Sequence, residues 1–173
     1  MKIALGADHA GFELKEKIKK YLQGKGVTVD DRGTHSTESV DYPDYALRVG
    51  KEVAAGNANS GILVCGSGIG MSIAANKVHG VRAAHVTSEI EARLSREHND
   101  ANVLAIGGRV LDEETARKVI DCWLNTDFAG GRHQQRVEKI TEIEREESPA
   151  ANGKFAFIED AKYPCCAACS AGS

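Results

Sequence analysis

Short runs of apolar residues alternate along the chain with longer stretches in which apolar residues recur every three or four positions. The first pattern is typical of buried strands, and the second is typical of helices that cover a sheet. The apolar runs predict strands over residues 2–7, 27–30, 60–65, 81–85 and 103–106. The amphipathic stretches predict helices over residues 11–23, 42–55, 70–77, 88–98, 112–124 and 134–147.

The alternation of predicted strands and helices favours a parallel sheet covered on both faces. We therefore expect one α/β domain over residues 1–147. Its expected fold is a Rossmann-like three-layer sandwich with a five-stranded parallel sheet in the order 2-1-3-4-5. The helical pattern stops at Pro149, after which Ala, Gly, Ser and Cys dominate. We expect residues 148–173 to be a C-terminal extension whose order the pattern does not fix.

Composition narrows the class of protein and its compartment. The chain has 173 residues and a formal net charge of -3, so no broad basic surface indicates nucleic-acid binding. The sequence shows no signal peptide and no apolar stretch long enough to cross a membrane. Five cysteines, three of them near the C-terminus, do not form the framework of a disulfide-rich secreted domain. We expect a cytoplasmic protein without a membrane partner.

A glycine-rich turn, Cys65-Gly66-Ser67-Gly68-Ile69-Gly70, follows the third predicted strand directly. It is not a P-loop, because no Lys-Ser or Lys-Thr pair follows it, and it lacks the third glycine of a dinucleotide fingerprint. Its backbone N–H groups could hold an anion beside the Cys65 thiol. On spacing alone, an ordinary strand-to-helix turn with a buried, inert cysteine is the favoured interpretation.

Two distant segments are expected to meet at this turn. In a doubly wound sheet, ligands bind beyond the carboxyl ends of the strands, where the strand order reverses. The first predicted strand ends at Asp8 and His9, and the third ends at Cys65. We therefore expect a crevice lined by a carboxylate, an imidazole, a thiol and backbone N–H groups. This convergence points to a functional site more strongly than either segment alone.

Five motifs resemble those of the ribose-5-phosphate isomerase B family, which includes galactose- and allose-6-phosphate isomerases. They are residues 6–12 (GADHAGF), 41–44 (DYPD), 65–70 (CGSGIG), 97–102 (EHNDAN) and 107–109 (GGR). The resemblance runs in order from the N-terminus to about residue 143. It implies an aldose–ketose isomerase that interconverts ribose 5-phosphate and ribulose 5-phosphate through a cis-enediolate. It also implies that no metal or organic cofactor is used, and that the partner is a second copy of the chain, in a dimer or a tetramer of dimers.

The resemblance assigns catalytic roles to three side chains. Cys65 is similar to the base that moves a proton between the two carbons, and N–H groups at a helix start favour the thiolate that this requires. Ser67, which is Thr in many members, resembles part of an anion hole for the enediolate together with the backbone of Gly66, Gly68, Ile69 and Gly70. His98 resembles the residue that opens the sugar ring, and imidazole exchanges protons readily at neutral pH.

The remaining site residues are expected to hold substrate. Asp8, His9 and Asn99 would bind sugar oxygens, and Tyr42 would line the wall of the crevice. Arg132 and Arg136, one helical turn apart, resemble a phosphate clamp, and Arg109 is a further candidate. The other histidines lack a spacing typical of metal ligands and have no predicted role: His35, His79, His85 and His133.

His98 and Asn99 precede the fifth predicted strand, at the edge of the sheet opposite the crevice. A two-fold dimer with shared active sites would bring them to the crevice of a neighbouring chain. Two alternatives remain open for the function. One is an isomerase of a 6-phosphohexose, such as allose or galactose 6-phosphate, and the other is a non-catalytic sugar-phosphate sensor on the same fold.

Overall fold

Five strands form a sheet at the centre of the molecule in the computed structural model, which describes residues 1–147. The strands are β1 (Lys2–Ala7), β2 (Thr28–Asp31), β3 (Ser60–Cys65), β4 (Ala83–His85) and β5 (Val103–Gly107). The helices are α1 (Phe12–Gly24), α2 (Tyr42–Ala54), α3 (Ile69–Ala75), α4 (Glu89–Asn99), α5 (Glu113–Leu124) and α6 (Arg132–Glu146). Every predicted element is present, with ends within two residues of those expected.

All strand pairs are parallel, and the sheet order is β2-β1-β3-β5-β4. The expected order 2-1-3-4-5 was therefore wrong for the last two strands. All five residues of β5 are buried, whereas the three residues of β4 are only half-buried. The longer, more apolar strand therefore takes the inner position beside β3, and the short strand lies at the edge. The reversal of strand order beside β1 is unaffected, so the expected crevice remains.

Helices cover both faces of the sheet, as expected for a three-layer sandwich. On one face α1, α4 and α5 pack on the sheet through side chains that include Ile18, Ala92 and Ile120. On the other face α2 and α3 pack through Val49 and Met71, among others. Because both faces are covered, only the ends of the strands offer open positions for polar chemistry.

A buried lysine joins the start of α1 to the end of β2. The Lys15 side chain is fully buried, and its Nζ lies 2.8 Å from Oδ2 of Asp31. Lys19 contacts the same Oδ2 at 2.7 Å, and the N–H of Gly33 donates to Oδ1. Burial by itself would raise the pKa of Asp31, but the hydrogen bonds from the two lysines and Gly33 outweigh it and lower that pKa. This cluster fixes the beginning of the loop that leads to α2.

The predicted extension over residues 148–173, including Cys165, Cys166 and Cys169, lies outside the described residues. None of the helices within residues 1–147 has the length and apolar character needed to cross a membrane.

Candidate active site

Cys65 ends β3 at the floor of an open cavity. The residue is only 5% exposed, and its Sγ accepts a hydrogen bond from the N–H of Gly68 at 3.1 Å. Its carbonyl oxygen accepts a bond from the N–H of Gly108 at 2.7 Å, beyond the end of β5. The strand and two turns thus hold the thiol in place, with a backbone donor directed at its sulfur. Such a donor stabilises negative charge on sulfur.

Asp8 and His9 approach Cys65 from the end of β1. The N–H of Asp8 donates to the carbonyl of Val64 at 3.3 Å, and Asp8 Oδ1 accepts from the N–H of Gly11 at 2.9 Å. His9 Nδ1 lies 3.2 Å from both the nitrogen and the oxygen of Val40. With Nδ1 engaged by the backbone, Nε2 is the ring nitrogen open to a ligand.

The turn after Cys65 carries hydrogen-bond donors on the opposite wall. Gly68 has a left-handed backbone (φ 84°), and this conformation directs its N–H back to the thiol. Ser67 is exposed, and its Oγ accepts from the N–H of Ile69 at 3.4 Å. The ring of Tyr42 packs against Gly70. The turn therefore offers a hydroxyl and backbone N–H groups within one short segment.

The cavity between these segments has a volume of about 420 Å³. It brings together most of the predicted site residues, namely Asp8, His9, Tyr42, Cys65, Gly66, Ser67, Gly70 and Arg109, with Ala10 and Val110 beside them. The N–H of Arg109 donates to the carbonyl of Gly66 at 3.0 Å, which fixes the backbone of this arginine at the rim. Gly68 and Ile69 belong to the same turn. The site can thus surround a small polar ligand with groups that give or take a proton, with one cation and with several neutral hydrogen-bond donors.

The other predicted residues, His98, Asn99, Arg132 and Arg136, do not line this cavity. They lie at the amino-terminal edge of the sheet, where the carbonyl of Asn102 accepts a bond from the N–H of Gly61 at the start of β3. Gly61 and Cys65 are separated by about 13 Å of extended strand. Within one chain, the predicted site residues therefore form two separate groups.

The imidazole rings of His98 and His133 are stacked, with centroids 4.1 Å apart. The sequence pattern gave no reason to select His133, because its partner lies on another helix. Desolvation is the largest cause that lowers the pKa of His133, and the positive charges of His98, Arg132 and Arg136 lower it further, against the opposing effect of Glu97. Positive charge is thus concentrated at the start of α6, as a binding site for an anion requires.

Arg82 fixes the end of α4, where His98 and Asn99 lie. Its Nε donates to the carbonyl oxygens of Asn99 at 3.1 Å and Asp100 at 3.0 Å, and its Nη2 lies 2.9 Å from Asp100 Oδ2. Arg96 contacts the other oxygen of the same carboxylate at 3.0 Å. Asp100 has a left-handed backbone (φ 45°) and ends the helix. These contacts hold the segment rigidly on its own sheet.

His85 is a second residue that the sequence pattern did not select. It ends the edge strand β4, and its Nε2 lies 2.8 Å from the carbonyl oxygen of Ser67 in the glycine-rich turn. This contact depends on the observed strand order, which no local pattern reveals. Across residues 1–147, no group of three or more His, Cys, Asp or Glu side chains is arranged to hold a metal ion.

Comparison with known proteins agrees with this architecture. A model of the family described as Ribose/Galactose Isomerase matches residues 3–140. Ribose-5-phosphate isomerase B of Escherichia coli is 54% identical over 144 residues, which cover 83% of this chain and 97% of the relative. D-erythrulose-4-phosphate isomerase of Pectobacterium atrosepticum is 44% identical over 148 residues, with coverages of 85% and 97%.

A solved structure is similar over the same range. Ribose-5-phosphate isomerase B of Clostridium thermocellum has a TM-score of 0.85 and 53% identity, covering 86% of this chain and all (100%) of that one. The similarity therefore extends over the whole domain that carries both groups of site residues. The family model, the sequence relatives and the solved structure agree, and the chain belongs to the ribose/galactose isomerase family.

Proposed function

We propose that this protein interconverts ribose 5-phosphate and ribulose 5-phosphate. The observation that carries the proposal is the buried Cys65 thiol at the floor of the cavity, with the Gly68 N–H directed at its sulfur. A protein that only binds a sugar phosphate has no need of a base in this position. The names of similar proteins support the substrate, since those of Escherichia coli and Clostridium thermocellum are ribose-5-phosphate isomerases.

In the proposed reaction, the Cys65 thiolate removes the proton from C2 of the open-chain aldose. The electrons of the broken C–H bond form the C1–C2 double bond of an enediolate, and negative charge develops on the carbonyl oxygen. The thiol then returns a proton to C1, while the proton on the C2 hydroxyl is transferred to the oxygen on C1. The atoms of substrate and product are the same, so the step requires no external oxidant or reductant. The assignment of Cys65 as the base rests on its place in the cavity.

The glycine-rich turn is suited to the charge that develops in this step. Gly66, Ser67 and Gly70 line the cavity beside the thiol, and the Gly68 N–H donates to its sulfur. Donors that are held in position before the reaction stabilise an oxyanion without reorganisation, which is often the largest catalytic contribution. Asp8 and His9 approach from the other side, where they would orient the sugar hydroxyls.

We assign ring opening to His98, with Asn99 on a sugar hydroxyl and Arg132 and Arg136 on the phosphate. All four would be contributed by a second copy of the chain, because they lie at the far edge of the sheet from Cys65. In a two-fold dimer each chain presents this edge to the cavity of the other, so both sites are completed together. Because β4 rather than β5 is the edge strand, the contact would form around β4 and the end of α4.

A phosphorylated sugar with a different carbon number is the second candidate substrate. The matching family is described for both ribose and galactose isomerases, and one relative is named for a four-carbon substrate. The same Cys65 chemistry operates on all of these sugars, so the preference depends on the distance between Cys65 and the arginines of the partner.

We also propose a cytoplasmic location, since Cys65 and Cys122 are both free thiols.

The decisive experiment compares turnover of ribose 5-phosphate, allose 6-phosphate and galactose 6-phosphate by the full chain and by Cys65→Ala. Loss of a general base should reduce kcat about 10²–10⁴-fold or more, with substrate binding largely retained. Cys122→Ala, which removes the half-buried thiol on α5, is the matched control and should remain active. Near-normal turnover by folded Cys65→Ala would disprove the base assignment. A higher kcat/KM for either hexose phosphate would overturn the pentose assignment.

A further inference from the structure

We propose that His85 is a positioning residue for the Cys65 base and acts through the peptide bond between Ser67 and Gly68. Its imidazole bonds the oxygen of this peptide unit, and the N–H of the same unit donates to the Cys65 sulfur. The proposal rests on the proposed function, because Cys65 is the base only if the protein is an isomerase. The physical connection between the two side chains is nonetheless measurable without substrate.

The geometry forms a continuous hydrogen-bonded chain. His85 Nε2 lies 2.8 Å from the Ser67 carbonyl oxygen, and Gly68 N lies 3.1 Å from Cys65 Sγ. A carbonyl oxygen can only accept, so Nε2 carries the hydrogen and donates it. The sequence of contacts is therefore imidazole N–H to carbonyl, then amide N–H to sulfur, across one planar peptide unit.

Two effects follow from this series of hydrogen bonds. A donor on the carbonyl oxygen polarises the amide, and the N–H on the other side becomes a stronger donor to a thiolate. The same contact also fixes the rotation of the peptide plane. If the plane turned over, the Gly68 N–H would leave the sulfur and the Ser67 carbonyl would take its place, with its negative end directed at the thiolate.

The surrounding backbone is shaped to permit this contact. A Cβ at Gly68 would stand 2.6 Å from His85 Cδ2, and Gly68 has the positive φ that L side chains rarely adopt. A Cβ at Gly107, at the end of β5, would stand 2.7 Å from the carbonyl carbon and oxygen of Ser67. The turn after β3 therefore crosses the end of β5 closely and reaches the edge strand, where His85 pairs in register with Ala105.

Few charged groups face the series of hydrogen bonds that joins His85 to Cys65. One that interacts with His85 is the Glu91 carboxylate, whose pKa is lowered mainly by hydrogen bonds from Thr87 and to a smaller extent by the charge of His85. The elements packed against β4 at this point, α3 and β5, carry no ionisable side chains. On the cavity side of Cys65 the ionisable groups are Asp8, His9, Tyr42 and Arg109. A change at His85 should thus alter the thiol through the peptide rather than through rearranged charges.

The test follows alkylation of Cys65 by iodoacetamide as a function of pH, in the full chain without substrate, and quantifies the Cys65 peptide by mass spectrometry. His85→Leu fills similar space without a donor, and His85→Gln places an amide N–H near the position of Nε2. His79→Ala, on an exposed histidine, is the matched control. We expect His85→Leu to move the midpoint of the alkylation profile to higher pH and to lower kcat several-fold at nearly unchanged KM. His85→Gln should restore most of the parent midpoint and most of the parent kcat, and His79→Ala should match the parent protein.

A superimposable alkylation profile for folded His85→Leu would overturn the proposal. Equal behaviour of the Leu and Gln variants would also overturn it, since a purely steric role would not distinguish them. A second measurement needs no variant, because ¹⁵N NMR of the parent protein identifies the tautomer of His85. An Nε2–H ring is expected, and a neutral Nδ1–H ring would contradict the proposal. Failure of the isomerase assignment would appear separately, as a parent protein that turns over none of the sugar phosphates while the alkylation results are unchanged.

Discussion

The imidazole rings of His98 and His133 lie face to face, with centroids 4.1 Å apart and planes 7° from parallel. The first ring is in the last turn of α4 and the second is in the first turn of α6. The N–H of Ala129, in the loop that leads into α6, donates to the carbonyl of Glu97 on α4 at 3.0 Å. The stack therefore connects the proposed ring-opening residue to the helix that carries the proposed phosphate clamp. Two parallel imidazoles in contact are favoured only while at least one of them is neutral.

We predict that His133 titrates below the ordinary histidine value of 6.5 in an NMR pH titration. Desolvation lowers its pKa first, followed by the charges of His98, Arg132 and Arg136, so Arg136→Ala should move the pKa back upward. Because the pKa in the folded state lies below that of the unfolded chain, protonation favours unfolding. The stabilising contribution is thus lost as the pH falls from about 6.5 through the lowered value.

Arg145→Ala, which removes a charge from the other end of α6, is the control for this titration and should leave the His133 curve in place. A parent His133 that titrates at or above 6.5 would contradict the desolvation and positive charge that surround its ring.

Arg132→Ala and Arg136→Ala should each raise KM for ribose 5-phosphate about 10- to 100-fold, because a lost hydrogen bond between charged groups costs roughly 1.5–3 kcal/mol. Binding of unphosphorylated ribose should change much less, since only the phosphate contact is removed. Steady-state kinetics on ribose 5-phosphate, with ribose as a competing ligand, measures the difference. Arg145→Ala is again the matched control, and equal losses on the two sugars would exclude a phosphate clamp.

Subunit mixing tests the proposed shared site. Cys65→Ala and His98→Asn should each be inactive alone, yet mixed dimers contain one site with both lesions and one with neither. Random 1:1 exchange of an isologous dimer should recover about a quarter of the parent activity. Native mass spectrometry of differently tagged chains verifies the exchange. If mixed dimers form and no activity returns, His98 does not act in the cavity of the partner.

Asp31→Asn should lower the free energy of unfolding by about 3 kcal/mol, because it removes the carboxylate shared by Lys15 and Lys19 and leaves the buried Lys15 ammonium with only the partly exposed Glu16 of its two carboxylate partners. The pKa of Asp31 is lowered in the folded state, so its contribution is complete above about pH 4 and is lost as the pH falls through the lowered value. Denaturant unfolding at pH 7 and at pH 3 measures both effects. Asp30→Asn is the adjacent control and should cost less than about 1 kcal/mol, since its partners Lys2 and Arg32 are partly exposed. Equal losses for the two variants would contradict the role of burial.

Features that depend on short stretches of sequence could be predicted well. The strands and helices follow from apolar periodicity, and their ends lie within two residues of the predicted ones. The meeting of Asp8 and Cys65 followed from one topological rule about where strand order reverses. These inferences need no knowledge of which distant side chains touch.

The order of the last two strands could not be predicted, because it depends on which apolar surfaces pair across the sheet. The contact between His85 and Ser67 is a direct consequence of that order. His133 was missed for a similar reason, since its stacking on His98 depends on how α6 folds back onto α4. Both histidines have ordinary surroundings in the sequence, and only the tertiary structure distinguishes them from the exposed His35 and His79.

Arg82 bonds the carbonyl oxygens of Asn99 and Asp100 within a single chain, so the segment that carries His98 is ordered before a second copy arrives. In the proposed dimer, association would then immobilise few additional side chains, and its entropic cost would come mainly from lost translation and rotation. The rate of encounter would be set by diffusion and orientation rather than by the folding of a loop. Dilution would therefore separate the dimer into chains that remain folded, and each chain could complete a catalytic site again by binding another copy.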